Sequence, residues 1–262
     1  MSTILKYPRT PHLEGSRLQY GDEDLSIIPF NDIRGLPCII EEKMDGANCA
    51  ISFSSEGNLL LQSRGHYLTG GAREQHFNLF KSWANRYHLK LQTLLGTRYV
   101  MYGEWLYAKH TIFYTDLPHY FLEFDMYDRV EGRFLSTAAR RTLLADAPLI
   151  RSVKVLAEIR PQNLQQLQDL IDVSEFINNH ITILRRICFN LNLDIATAMK
   201  ETDPSRLMEG LYIKVECGRY VENRFKIVRN SFLTTVIQSE TQWLNRPVIP
   251  NQLAKGVDIF NE

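Results

Sequence analysis

Cys38-Ile39-Ile40-Glu41-Glu42-Lys43-Met44-Asp45-Gly46-Ala47-Asn48 is an apolar run that ends in charge and breaks at a glycine. Cys38 to Glu42 reads as a strand, and Met44-Asp45-Gly46 as the turn that ends it. A lysine at such a strand end can point into a pocket rather than out to water. It becomes a nucleophile only when its amine is neutral, so a dry site or neighbouring cations must lower its pKa from roughly 10.4. Lys-x-(Asp/His)-Gly alone is weak evidence, expected by chance in about one chain in ten of this length. A surface turn is the bland alternative.

Working outward, Ala50 to Ser54 and Leu59 to Ser63 form a hairpin through Glu56-Gly57-Asn58. Phe77, Phe80, Trp83, Tyr87, Leu91 and Leu94 recur at three- and four-residue spacing, which predicts a helix over 73–95 that stops at Gly96. Tyr99 to Leu106 and Tyr120 to Tyr127 read as strands, and Ser136 caps a short helix through Ala145. From Pro161 to about 205 the pattern turns helical, with Leu164, Leu167, Leu170 and Ile171 on one stripe and Ser174 as a second cap. Leu211 to Cys217 and Arg224 to Val228 are the last strands. The sum is an α+β fold of mostly antiparallel sheets with flanking helices, expected as a single domain over 1–262.

Three more segments fit a site with Lys43. Glu104 ends an apolar strand, and Glu209 opens another, in alternation with Leu211, Ile213 and Val215. Either glutamate alone is most simply a solvated strand end, but two carboxylates at strand mouths can hold a divalent metal. Arg224 and Lys226 are two apart on one strand and point the same way. They suit a phosphate and would depress a nearby amine, or they are merely an exposed face. The segment alone does not choose.

Composition sets bounds without naming a partner. The 262 residues are 44% hydrophobic and 23% charged, and thirty basic side chains balance thirty acidic ones, so no global basic signature of nucleic-acid binding exists. Four cysteines without C-x-x-C spacing argue against a zinc ribbon or a disulfide framework. Neither an apolar leader in 1–10 nor an eighteen-residue apolar run is present, so no membrane contact and a cytoplasmic location are expected. His66 is expected to be a solvated loop histidine, and Arg185 and Arg186 a solvated helix surface.

Taken in order, these segments resemble the lysine-dependent nucleotidyltransferases: polynucleotide ligases and messenger-RNA capping enzymes. Glu42-Lys43-Met44-Asp45-Gly46 is similar to their first motif and Ser63-Arg64-Gly65 to the next. Tyr102-Gly103-Glu104 and Phe121-Leu122-Glu123-Phe124-Asp125 resemble the third and its companion. Glu209 to Lys214 resembles the fourth, and Arg224-Phe225-Lys226 the fifth. Asn48 and the Phe124-Asp125 ending look most like the nick-sealing RNA ligases. Many of those carry histidine where this chain has Asp45. The 33 residues from 230 to 262 are too few for an OB-fold or a helical C-terminal domain, so no OB-fold is expected.

The resemblance implies an ATP-grasp-like adenylation domain that uses ATP with Mg2+ or Mn2+. Lys43 would take up AMP, pass it to a 5′-phosphate and allow a 3′-hydroxyl to seal the end, joining RNA ends in preference to DNA ends in RNA repair. Arg224 and Lys226 would hold the α-phosphate, Glu104 the ribose or metal, and Glu209 the metal. Phe124 would stack on adenine, although core packing explains it equally. Arg64 would contact sugar or nucleic-acid phosphate, and Glu42 and Asn48 would frame base and phosphate. A DNA ligase, or the adenylating subunit of a larger repair assembly with a repair-protein partner, are the rival readings.

Overall fold

The computed structural model describes residues 4–18, 22, 25–238 and 247–261. The chain runs β1 (His12–Leu13), β2 (Ile27–Ile28), β3 (Cys38–Lys43), β4 (Ala47–Phe53) and β5 (Leu59–Ser63). Helices α1 (Asn78–Arg86) and α2 (His88–Leu95) follow, then β6 (Tyr99–Trp105), β7 (Phe121–Asp128), β8 (Arg133–Phe134) and α3 (Thr137–Leu144). Next come β9 (Arg151–Ser152), β10 (Val155–Ile159), α4 (Gln165–Gln168), α5 (His180–Asn190) and α6 (Ile195–Lys200). The described elements end with β11 (Gly210–Cys217), β12 (Tyr220–Val228) and α7 (Asn230–Gln238).

Two sheets result. One has the order β10-β3-β11-β12-β1-β2, antiparallel from β10 to β12 and parallel at β1 and β2. The other has the antiparallel order β5-β4-β6-β7-β8, with β9 added parallel to β7. This is the expected α+β, mostly antiparallel architecture, and neither sheet closes into a barrel among the described residues. No helix among them is long and apolar enough to cross a membrane, and all four cysteines are free thiols.

Strand alternation sends apolar rows to the outer faces of both sheets. In the first, Ile40, Leu211, Ile213, Phe225 and Ile227 pack beneath Leu13, Ile33 and Leu167. In the second, Phe80 and Trp83 of α1 stack on Phe121, and Phe80 also meets Trp105. Each such fully buried side chain contributes on the order of 1.5–3 kcal/mol. The inner faces carry charge, and they meet around the site.

The predicted helix over 73–95 is divided. A 3-10 turn covers Ala72–Phe77, and α1 and α2 meet at Tyr87, whose φ of −102° and ψ of 19° depart from helical values. The apolar stripe still works as one surface, since Phe80, Trp83, Tyr87 and Leu91 are all buried. Ser136 caps α3 as expected, its Oγ accepting from the Ala139 N–H. Between 161 and 205 the expectation fails in part. Of the leucine stripe only Leu167 lies within a helix, the four-residue α4. Ser174 caps no helix, its Oγ instead accepting the Phe176 N–H at 3.3 Å, and α5 begins after Asn179. Strand β10, pairing with β3, was not foreseen.

Candidate active site

Lys43 is the last residue of β3, and its register partner across β11 is Gly210. Glu209 therefore arrives beside it, and the Lys43 Nζ donates to Glu209 Oε1 at 2.5 Å. The Glu209 side chain is 3% exposed and that of Lys43 22% exposed. Alternation placed Glu209 in the row of Leu211, Ile213 and Val215. Its carboxylate leaves that row, because Glu209 precedes the strand and turns to Lys43. Gly210 permits this turn: a Cβ there would lie 1.9 Å from the Ile227 carbonyl oxygen.

Glu104 comes from the facing sheet, where it is the register partner of Asn48, so both side chains share the inner face. The Gly46 N–H donates to Glu104 Oε1 at 3.1 Å. A Cβ on Gly46 would meet the Trp105 carbonyl oxygen at 2.8 Å, which accounts for glycine after Asp45. Asp45 itself pins the loop after β6: its Oδ2 accepts the N–H groups of Thr111 at 2.7 Å and Ile112 at 2.6 Å. The Asp45 N–H donates to the Tyr114 hydroxyl at 2.9 Å.

Electrostatics correct the expectation for Lys43. Burial works to lower its pKa, but the carboxylates of Glu209, Glu104 and Asp45 outweigh burial and hold it above the ordinary lysine value. Lys226 is the amine that is lowered, by burial and by the charge of Lys43. Burial, with the charges of Glu209 and Asp45 adding to it against Lys43, pushes the Glu104 carboxyl up to about 8. The structure thus gathers two amines and three carboxylates, and the carboxylates dominate.

Other expected residues stand elsewhere. Glu42 is buried on the opposite side of β3 from Lys43, with Cys38 and Ile40. Its carboxyl meets Ser174, and burial pushes it up to about 7. Its side chain therefore lies on the face away from Lys43. Arg224 points inward with Lys226 but is committed to Asp125 at 3.5 Å, and it lies over the rings of Tyr7 at 5.1 Å and Phe134 at 3.8 Å. Phe124 is half-buried, with Tyr7 edge-on at 5.2 Å and Tyr212 at 6.1 Å. Arg64 is exposed in the turn after β5, as is His66. Arg185 and Arg186 are exposed on α5, as expected.

Sequence reading missed the buried framework behind the site. Arg140 of α3 joins the sheets, donating to Glu123 at 2.8 Å and to Glu41 at 2.6 Å. Lys214 pairs with Glu41 at 2.8 Å and Asp125 at 3.1 Å. The Tyr7 hydroxyl donates to Asp125 and also meets the Tyr212 hydroxyl. At the edge, Asp22 pairs with Lys226, Arg9 and His12. The inward alternation of Glu41 with Lys43 was the available signal for Glu41. Nothing in the local sequence marked Asp22.

A family model described as RNA ligase matches residues 36–228. No curated protein sequence gives a significant match. Among solved structures, a mutant Naegleria gruberi RNA ligase with ATP and Mn aligns with a TM-score of 0.52 at 17% identity, covering 79% of this chain and 54% of that one. A second mutant, with AMP and Mn, gives 0.51 at 16% identity over 78% and 53%. The RNA ligase with PPi gives 0.50 at 16% identity over 89% and 58%. The chain thus spans little more than half the length of these structures, and the likeness is one of fold.

Proposed function

The chain belongs to the RNA ligase family, and we propose that it is an ATP-dependent RNA ligase acting through AMP carried on Lys43. The observation that carries this reading is the Lys43 amine held against Glu209, within reach of the charges of Glu104 and Lys226. In the first step Lys43 Nζ attacks the α-phosphorus, the P–N bond forms, and the bond to pyrophosphate breaks. An oxygen of an RNA 5′-phosphate then displaces the lysine from AMP. Finally a 3′-hydroxyl attacks the activated end and AMP leaves. Each step is an in-line displacement, so the protein supplies position and charge.

Lys43 must shed a proton first. Its raised pKa means that the surrounding carboxylates have to be neutralised before the amine is free. The Lys43 side chain is 22% exposed, so the proton can pass to solvent once Glu209 is drawn from Nζ. Lys226 faces the same cluster, and its cation would stabilise charge developing on the α-phosphate. Arg224 would join it only by leaving Asp125. Asn48 shares the face of Glu104 and is placed to meet sugar or phosphate.

Glu104 and Glu209 fit a divalent metal. Each raises the burden of negative charge at this point, and a hard cation prefers carboxylate oxygen with the remainder from water and phosphate. No group of three or more candidate ligands forms among the described residues, so the pair would hold Mg2+ or Mn2+ jointly with the substrate. When bound, the metal would offset phosphate charge and draw the carboxylates away from Lys43. Phe124 as an adenine platform and Arg64 as a contact to nucleic-acid phosphate remain parts of this reading, as does a role in RNA repair.

The test is incubation with magnesium and α-labelled ATP. Acid-stable label that disappears in Lys43→Ala is expected, and no label on protein stripped of AMP would sink the reading. Label from GTP instead of ATP would point to capping chemistry. Sealing nicks with RNA rather than DNA on the 3′-hydroxyl side then tests the substrate.

A further inference from the structure

We propose that Arg9, His12 and Lys226 form a cradle for the pyrophosphate end of the nucleotide, and that Asp22 closes it as a carboxylate stand-in. The proposal rests on the ligase reading for the identity of its ligand, and on the ion cluster for its existence.

Strand β1 is laid parallel against β12, with His12 the register partner of Lys226. The Lys226 N–H also donates to the Pro11 carbonyl at 3.0 Å. This pairing brings the residues around β1 to the edge of the lysine site. Asp22 then receives donors from three side chains. Lys226 Nζ bonds Oδ2, His12 Nε2 lies 3.0 Å from the same oxygen, and Arg9 Nη2 lies 2.9 Å from Oδ1.

The imidazole is fixed from behind. The Val228 N–H donates to Ser16 Oγ at 2.9 Å, and Ser16 Oγ is 2.6 Å from His12 Nδ1. The Asp22 carboxylate can only accept, so the proton of His12 sits on Nε2, aimed at Asp22, and Nδ1 accepts from the Ser16 hydroxyl. A preset donor, a guanidinium and an ammonium thus converge on one anion. Convergent charge-assisted donors of this kind are what a phosphate requires.

The cradle also adjoins the reacting lysine: the charges of both Lys226 and Lys43 act on His12. An incoming phosphate that uses Lys226 must compete with the carboxylate of Asp22, because both are anions claiming one ammonium. If Lys226 takes the α-phosphate, His12 and Arg9 are the next donors outward, beside the bond that breaks. The Arg9 side chain is 35% exposed and that of Asp22 11%, so the fork opens outward. Asp22 leaves as the phosphates enter, and its return helps to expel pyrophosphate.

Two accounts of Asp22 give opposite signs. If it merely props Lys226 in place, removing its charge weakens anion binding. If it occupies the cradle, removing its charge strengthens anion binding. The measurement is calorimetric binding of inorganic pyrophosphate with magnesium to Lys43→Ala protein, which cannot carry AMP. Adding Asp22→Asn, a near-isosteric change, should tighten binding about tenfold, the scale of one charge-assisted hydrogen bond. Adding Arg9→Ala should weaken it by about the same factor. Unchanged or weaker binding in Asp22→Asn overturns the proposal. Arg9 can be shortened without opening a core, so unchanged binding in Arg9→Ala overturns it even if Asp22→Asn folds poorly. Labelling of the wild-type chain by ATP separates the two readings. Label without the affinity shifts removes the cradle alone, whereas the shifts without label keep the cradle and remove the ligase.

Discussion

Lys43 and Glu209 lie 166 residues apart in sequence and 2.5 Å apart at their charged atoms. The contact follows from the β3–β11 register, in which Gly210 faces Lys43. Neither residue can be moved without disturbing the other.

Replacing Lys43 by arginine keeps the cation and removes the usable nucleophile, because a guanidinium stays protonated. Lys43→Arg should form no AMP adduct in the labelling assay. Lys226→Ala should slow adduct formation by about 10²–10³-fold, the loss seen when one donor to a developing anion is deleted. A Lys43→Arg protein that still takes up label would place the nucleophile elsewhere.

Gly210 is required by backbone contact. A methyl group there cannot coexist with the Ile227 carbonyl oxygen at 1.9 Å. Gly210→Ala should cost about 1–3 kcal/mol by urea denaturation, the usual scale of overpacking. It should also reduce AMP attachment by displacing Glu209. Wild-type stability and labelling together would contradict the geometry.

The buried carboxyls give the nucleotide-free protein a definite pH dependence. Glu104 is pushed from 4.5 up to about 8, and Glu42 from 4.5 up to about 7, by burial first. Groups with raised folded pKa values contribute stability that is present below their unfolded value and lost as pH rises through the folded value. The thermal midpoint should therefore fall from about pH 5 to about pH 8 in a titration of the protein without metal. Glu104→Gln should flatten the upper part of that decline. A midpoint that rises over this range would show that other groups govern it.

Arg140 bonds Glu123 and Glu41 with its side chain 3% exposed and both partners wholly buried. Arg140→Met removes one cation, leaving Glu123 without its ion partner and Glu41 with Lys214 alone. Breaking a buried pair in this way costs about 3–5 kcal/mol. Urea denaturation should show a loss of that order, and a change below about 1 kcal/mol would mean that the carboxylates find protons or water instead.

Much of this was legible because periodicity reports burial. The alternation through β3, β4, β6, β11 and β12 and the stripe from Phe80 to Leu91 depend on local side-chain spacing, which a single sequence displays. The break at Tyr87 and the loss of helix around Ser174 depend on what packs against those segments. Lys43, Glu104 and Glu209 could be singled out as charges at the ends of apolar strands. The sign of the Lys43 pKa could not, since it depends on how many carboxylates the fold gathers around one amine. Glu42 turns away from Lys43 because adjacent residues in a strand face opposite sides. Asp22 carries no local pattern, and only the pairing of β1 with β12 brings it to Lys226.

That same pairing bears on how the protein is made. Asp22 and Lys226 are 204 residues apart, so the contact closes a long loop, and long-range pairing of this kind is slow to form. During synthesis Lys43 emerges before Glu209 and Lys226, the carboxylate and ammonium that come to lie beside it. Until then its strand lacks the central partner of its sheet and presents an open edge, the feature by which nascent β-proteins go astray. The later strands thus complete both the charge cluster and the protection of the earlier one.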